Sequence, residues 1–422
     1  MGLTKKPVTG MKDILPAEMQ IRDYVTRIVK ETYSDFGFTP IETPAVEHIE
    51  NLLSKQGGEN EKLIFKILKR GEKLVLSPDV KEEDLADSGL RYDLTLPLSR
   101  FYACHAAELP APFKALQIGS VWRADRPQKG RFRQFVQCDI DILGDPTNLA
   151  EIELITATTT LLGKIGFSDF TVRINDRKIL SAMARSCGFE EKDLDTVFII
   201  LDKMDKIGVE GVREELKGSG FSEACVDGYI SMFEEDMSDI AYLESLENKL
   251  SGYLEEGCIK GLDGIIKSVE RVKKCDFNIV FDPTLVRGMS YYTGTIFEIT
   301  MNEFGSSVAG GGRYDEMIGK FTGNKVCACG FSIGFERIIT ILMDRGFMPP
   351  EAKTKYAFLI EKGAGPEFVA SVMEEAAKCR ENGDCVLVSM MNKNKKFQKE
   401  QLEKDGFSSD NIREFYHSDF KN

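Results

Sequence analysis

Between Val121 and Gly144 the chain reads VWRADRPQKGRFRQFVQCDIDILG, a stretch that constrains the fold more than any other. Gln137, Asp139 and Asp141 recur at every second position, and in a strand that spacing puts all three side chains on one face. Apolar residues alternate with them, as expected of a strand with one face in a core. Just upstream, Arg123, Arg126, Lys129, Arg131 and Arg133 crowd into a loop interrupted by Pro127 and Gly130, in a chain whose formal net charge is −13. Cations gathered in this way suit an anion, and phosphate is the natural candidate because guanidinium groups bind it bidentately. A phosphate-facing loop joined to a polar strand face points to a site for a nucleotide and a small polar co-substrate. The competing interpretation is a solvated hairpin with ordinary surface charges.

A chain of 422 residues has room for two or three domains and a sizeable core. Its 42% hydrophobic and 29% charged residues are typical of globular proteins in water. No apolar run is long enough to span a bilayer, and MGLTKKPVTG lacks the apolar core of a secretory signal, so a cytoplasmic protein without a membrane partner is expected. The acidic balance argues against nucleic-acid binding over the whole surface and leaves room for it at a local basic patch. The ten cysteines form no CxxC pair, and His48, His105 and His417 add no zinc-ligand pattern, so no tightly bound metal is expected. Cys327 and Cys329 either join a metal site or are small residues on a strand.

Residues 17–35 carry apolar positions at helical spacing, and Pro40 and Pro44 favour an extended segment after them. Residues 62–68, 72–77, 115–123 and 133–143 are expected as strands, and 91–105 as an extended entry into a helix. From 176 to 275 Glu, Lys, Leu and Met dominate, which predicts a helical block inserted in a β-rich core. Strands are expected again at 277–283 and 290–301, then a Gly-rich turn at 309–315, a small-residue strand at 326–332 and a helix at 334–345. The paired prolines of 346–354 mark a linker. Beyond it, strands at 355–360 and 384–391 alternate with helices at 366–382 and 393–405, while SSDNIREFYHSDFKN gives no strong signal.

Arg123, Arg287 and Arg337 each sit among glycines or aromatics instead of on a charged helix face. The chain has no GxxxxGK[ST] loop, so a bound triphosphate would need separated cations of this kind. Gly310, Gly311 and Gly312 suit either close approach of backbone to a ligand or a tight turn, and Gly330 and Gly334 bracket a strand-to-helix junction with room for a flat group. The polar positions left for a co-substrate are Asp93, Thr95, Gln137, Asp141, Tyr291, Tyr292 and Tyr314. Carboxylates with tyrosines suit a cationic, hydrogen-bond-donating ligand such as an amino acid.

LRYDLTLPLSR, the 121–144 stretch, LVRGMSYYTGTIFEI, AGGGRYDEMIG and ACGFSIGFERI occur in this order and resemble the signatures of histidyl-tRNA synthetases. GMKDILPAEM and GFTPIETPAVE are similar to that family's opening helix and first class II motif. The resemblance implies an α+β class II synthetase core, an antiparallel sheet flanked by helices, acting as a homodimer through the Pro40–Pro44 region. It implies core halves at 1–175 and 276–345, a helical insertion at 176–275, a linker at 346–354, and a short α/β anticodon-binding-like domain at 355–422. The implied activity is histidine–tRNA ligation: ATP and histidine form histidyl-adenylate with release of pyrophosphate, Mg2+ accompanies the ATP, and histidine passes to tRNA(His). By the same resemblance Arg123 and Arg337, with Asp125 beside them, hold ATP, and Arg287 stabilises the α-phosphate as the histidine carboxylate attacks. Asp93, Thr95 and Gln137 take the ammonium group, Asp141 and Tyr292 read the imidazole, Tyr291 and Tyr314 line the pocket, and Gln128 and Arg133 meet the tRNA acceptor end.

The chain departs from the family pattern at Ser290, where Asp is usual, at Asp125, where Glu is common, and at Asp141, where some members have Glu. Only some 68 residues follow the linker, and the strands expected after the basic helix NKNKKFQKEQLEKDGF are not recognisable. Two alternatives follow. One is a synthetase-like regulator such as the regulatory subunit of ATP phosphoribosyltransferase, which tends to lose the catalytic arginines. The other is a paralogue that delivers an activated amino acid elsewhere or responds to uncharged tRNA.

Overall fold

The computed structural model describes residues 3–53, 60–77, 79–126, 131–233, 240–286, 292–303, 305–350 and 353–418. The chain divides into two compact units, Met1–Asp13 with Val25–Ile341, and Ile14–Tyr24 with Leu342–Asn422. Among the described residues no helix is long and apolar enough to cross a membrane.

The first unit is built on an eight-stranded sheet of β1 (Thr39–Pro40), β2 (Phe113–Trp122), β3 (Gln134–Leu143), β4 (Phe170–Asp176), β5 (Phe277–Phe281), β6 (Thr295–Met301), β7 (Ser306–Arg313) and β8 (Ala328–Ile333). Their order across the sheet is β1-β2-β3-β8-β7-β6-β4-β5, antiparallel except for the parallel pairs β1–β2 and β4–β5 at its two edges. The helix Leu149–Ile165 is buried along most of its length, Glu151 included, and buries Leu154, Leu161 and Leu162 completely. Val25, Val29 and Tyr33 of the helix Pro16–Asp35 recur at four-residue spacing and are buried, and the Tyr33 hydroxyl lies 3.4 Å from Thr158 Oγ1. Between β4 and β5 the described chain is helical, with α-helices at Arg177–Ser186, Leu194–Leu201, Met204–Gly218, Glu223–Ser231, Ile240–Lys249 and Cys258–Val272.

The glycine run departs from expectation. AGGGR does not turn; it forms most of β7 and crosses the middle of the sheet, with Gly311 paired to Phe331 on one side and Phe297 on the other. None of its three glycines has positive φ. The cause is space: a Cβ on Gly311 would lie 2.0 Å from the Gly330 carbonyl oxygen and 2.8 Å from the Phe297 ring. Residues 72–77 are not a strand either, because Gly71 turns the chain at φ +59° into a short 3-10 turn. Strand structure near 62–68 is confined to Lys66–Leu68, in a small sheet with Val46–His48 and Ala86–Leu90.

The second unit carries a parallel sheet in which Lys355–Ile360 lies between Cys385–Met390 and Ile412–Phe415. Period two splits its core. Phe358 and Ile360 pack with Phe368, Val372 and Ala376 of the helix Pro366–Glu381, while Ala357 and Leu359 pack with Leu402 and Ile412. Pro366 opens its helix at a first-turn position, where the missing N–H costs nothing. The strand after the basic helix Lys395–Lys404 is therefore present, contrary to expectation. It is four residues long and carries Arg413 and Glu414 in its middle, so neither length nor alternation reveals it. Glu414 accepts hydrogen bonds from Lys395 and Lys399 of that helix.

Candidate active site

On one face of the large sheet a cavity of about 320 Å3 is lined by Asp93, Thr95, Arg123, Asp125, Gln137, Asp141, Tyr292, Tyr314 and Arg337, residues far apart in the chain. The register explains their meeting. β3 lies between β2 and β8, so Gly119 faces Gln137, and Asp139 has Gln117 on one side and Ser332 on the other. Gln137, Asp139 and Asp141 climb the same face at two-residue steps of roughly 6.6 Å.

At the Asp141 end the carboxylate is buried, its Oδ1 accepts from the Tyr314 hydroxyl at 2.6 Å, and its Oδ2 is buried without a hydrogen-bond partner among the described residues. A buried acceptor of this kind suits a ligand N–H. Burial, reinforced by the Asp139 charge, raises the Asp141 pKa well above the usual carboxylate range. Gly330 leaves the necessary room, since a Cβ there would sit 2.0 Å from Asp141 Oδ1. Tyr314 is fixed by its neighbour Arg313, whose guanidinium grips buried Glu151 through two 2.7 Å bonds and donates to the carbonyls of Asp145 and Thr147. Tyr292 packs on the same cluster as Leu98, Phe113 and Tyr314.

Asp93 and Thr95 stand where the chain enters the helix Thr95–His105, and Asp93 Oδ1 accepts from the Leu96 N–H at 3.0 Å, satisfying a first-turn donor. Gln137 comes next. Its Oε1 accepts from Arg123 Nη2 at 3.3 Å, and its Nε2 donates to Ser332 Oγ at 2.9 Å and to the Asp139 carboxylate at 3.3 Å.

The other end is cationic. Arg123 is pinned by donation from Nε to the Tyr92 carbonyl at 2.8 Å and lies over the Phe135 ring at 5.2 Å. Arg337, just past β8, donates to the Ser307 carbonyl. Burial and then the charge of Arg131 lower the Arg337 pKa, and among the described residues it has no carboxylate partner. Arg131 pairs with Asp125 at 3.4 Å, and buried Glu336 accepts from the Val136 N–H at 3.2 Å.

Arg133 does not line the cavity. It donates to the Asp125 carbonyl at 3.0 Å, and its own N–H bonds the Gly10 carbonyl at 2.8 Å. Gln128, Arg287, Ser290 and Tyr291 lie outside the described residues. Asp139, Ser332 and Glu336 line the cavity but are not among the sequence-derived ligands. Period two already placed Asp139 on the face of Gln137 and Asp141; Ser332 and Glu336 carry no comparable local signal.

A largely antiparallel sheet carrying a cavity lined by separated arginines and carboxylates, with no P-loop, is the architecture of a class II aminoacyl-tRNA synthetase. A family model for histidyl-tRNA synthetase matches residues 10–338, and the chain belongs to that family. A histidine–tRNA ligase of Leifsonia xyli is 47% identical over 348 residues, 80% of each chain. A probable histidine–tRNA ligase of Tropheryma whipplei is 38% identical over 422 residues, covering 96% of this chain and 94% of that one. The crystal structure of histidyl-tRNA synthetase from a Nostoc species aligns with a TM-score of 0.76 at 28% identity, over 96% of this chain and 90% of the other. A Bacillus halodurans structure described as an ATP phosphoribosyltransferase regulatory subunit/histidyl-tRNA synthetase shares the fold, with a TM-score of 0.76 at 22% identity.

Proposed function

We propose that the chain is a histidine–tRNA ligase working as a cytoplasmic homodimer. The histidine carboxylate oxygen attacks the α-phosphorus of ATP, the bond to the leaving pyrophosphate breaks, and histidyl-adenylate forms. The 3′-terminal hydroxyl of tRNA(His) then attacks the adenylate carbonyl and AMP leaves. The observation that carries this reading is the lining of the cavity, which brings Arg123, Arg131 and Arg337 together with Asp93, Asp139 and Asp141. ATP with histidine presents the complementary groups, phosphates for the arginines and ammonium with imidazole N–H for the carboxylates.

Arg123 and Arg337 hold the phosphates, fixed cations aimed where charge is redistributed as pyrophosphate departs. Asp93, Thr95 and Gln137 orient the ammonium group, and Asp141, set by Tyr314, accepts from the imidazole with Tyr292 alongside. Arg287, Tyr291 and Gln128 keep the roles that the family resemblance gives them. Mg2+ takes oxygen ligands. Asp125 and Glu336, carboxylates beside the arginines, would hold it, and it would neutralise phosphate charge when bound with ATP. Arg133 meets the acceptor end of the tRNA, as the family resemblance implies, and the second unit stands at the place in the chain where the family carries its anticodon-binding domain. The synthetase-like regulator is not favoured, because Arg123 and Arg337 both line the cavity.

ATP–pyrophosphate exchange measured with each of the twenty amino acids is expected to respond to histidine alone. Silence with all of them from a folded protein would replace the ligase reading with the regulatory one. Arg337→Ala is expected to raise the KM for ATP about tenfold or more, the effect of losing a charge-assisted hydrogen bond. Its KM for histidine should stay within about twofold, because none of Asp93, Asp139 and Asp141 acts on the Arg337 charge; initial-rate kinetics with each substrate varied in turn checks this.

A further inference from the structure

Gln137 has only one workable amide orientation. An arginine can only donate and an ionised carboxylate can only accept, so the Gln137 oxygen must face Arg123 and its nitrogen must face Asp139. Turning the amide over would set NH2 against a guanidinium and oxygen against a carboxylate. Asp139 is 3% exposed and sits one pleat from both Gln137 and Asp141 on the same face of β3, with Ser332 opposite it on β8. Asp139 has partners of its own there: Gln137 and Ser332 donate to it, and the guanidiniums of buried Arg91 and of Arg123 feel its charge. A buried carboxylate is costly unless it is paired and hydrogen-bonded, and of these partners Gln137, Ser332 and Arg123 are themselves on the cavity wall.

We infer that Asp139 is a positioning residue for the amino-acid substrate, holding the Gln137 amide in the one orientation that receives the ammonium group and adding negative charge beside it. The inference rests on the ligase reading. The Asp139–Gln137–Arg123 chain ties the amino-acid end of the cavity to the phosphate end. Without Asp139 the Gln137 nitrogen keeps, among the described residues, only Ser332 as an acceptor, so the amide is held less firmly and the negative charge beside the ammonium group is gone.

The charged and titratable groups facing Asp139 are Asp93, Asp141, Arg123, Arg91 and Tyr33. Burial, with the Asp93 charge adding to it, outweighs Arg123 and the hydrogen bonds from Ser332 and Gln137 and pushes the Asp139 carboxyl up to about 7. The sign follows. Below that pH Asp139 carries a proton and attracts the ammonium group weakly; above it the carboxylate is charged and histidine binds better. The KM for histidine should therefore fall as pH rises from about 6 to 8.

The test is histidine-dependent ATP–pyrophosphate exchange by the full chain and two variants, with thermal melting as a check on folding. Asp139→Ala is expected to raise the KM for histidine about tenfold and to leave the KM for ATP within about twofold. Asp139→Asn keeps an acceptor for Gln137, so it should match the native protein near pH 6 and fail to follow the fall in KM above pH 7. Histidine's imidazole titrates alike in both proteins, so the difference between the profiles belongs to Asp139 and to Asp141, whose own pKa the Asp139 charge raises. An Asp139→Ala variant with unchanged KM for histidine overturns the inference, and so does an Asp139→Asn profile parallel to the native one. The second result decides even where the alanine variant does not fold. No exchange by the native protein would remove the ligase reading and this inference with it; exchange by the native protein with indifferent variants removes the inference alone.

Discussion

Arg123→Ala is expected to lower kcat/KM for histidine-dependent adenylation by about two to three orders of magnitude, the usual cost of removing one preorganised donor from a developing oxyanion. The guanidinium is held at three points: donation to the Tyr92 carbonyl, donation to Gln137, and the face of Phe135. That leaves its remaining N–H groups aimed by the scaffold at no entropic cost on binding. The substitution removes a phosphate ligand and also releases the Gln137 oxygen, so both substrates should suffer. Lysine should not restore the rate. It lacks the fork that lets one side chain bond a carbonyl, an amide and a phosphate together. Pyrophosphate exchange with saturating ATP and varied histidine, then the reverse, separates the two losses. A variant that retains most of its activity would remove Arg123 from the phosphate site.

How much of this was legible in the sequence depends on how local each signal is. The face shared by Gln137, Asp139 and Asp141 is a period-two pattern within five residues, and the structure puts it on β3 in the middle of the sheet. The helices at 16–35, 335–344 and 366–381 were legible for the same reason, a 3.6-residue repeat sustained over several turns. The glycine run suggests a turn because glycine has two uses, permitting positive φ and leaving space, and composition does not tell them apart. Only the partners across the sheet, Phe297, Phe331 and Gly330, make β7 a strand, and they come from other parts of the chain. Glu336 is not legible in the sequence for the converse reason. Its partner is the backbone N–H of Val136, 200 residues away, and a glutamate in the first turn of a helix looks like an ordinary dipole-favouring residue.

Gly330→Ala is expected to raise the KM for histidine by about a hundredfold while the protein still folds. The added methyl would fall 2.0 Å from Asp141 Oδ1, 3.0 Å from its Cγ and 3.2 Å from the Tyr314 ring. Both neighbours are buried and bonded to each other at 2.6 Å, so the pair must shift together into the space where the imidazole is read. Overpacking of this kind costs about 1–3 kcal/mol, which a domain of this size survives. Gly311→Ala, one strand away, meets different atoms: the Gly330 carbonyl oxygen at 2.0 Å, the Phe331 Cα at 2.8 Å and the Phe297 ring at 2.8 Å. A side chain can swing aside, but the backbone of the next strand can move only by breaking the β7–β8 ladder, so this variant should lose the sheet centre and fail to fold. Thermal melting and histidine kinetics on the two variants test the distinction. A well-folded Gly330→Ala with native KM for histidine would show that Asp141 and Tyr314 do not set the imidazole site. Equal damage to folding in both would mean that Gly330 serves packing alone.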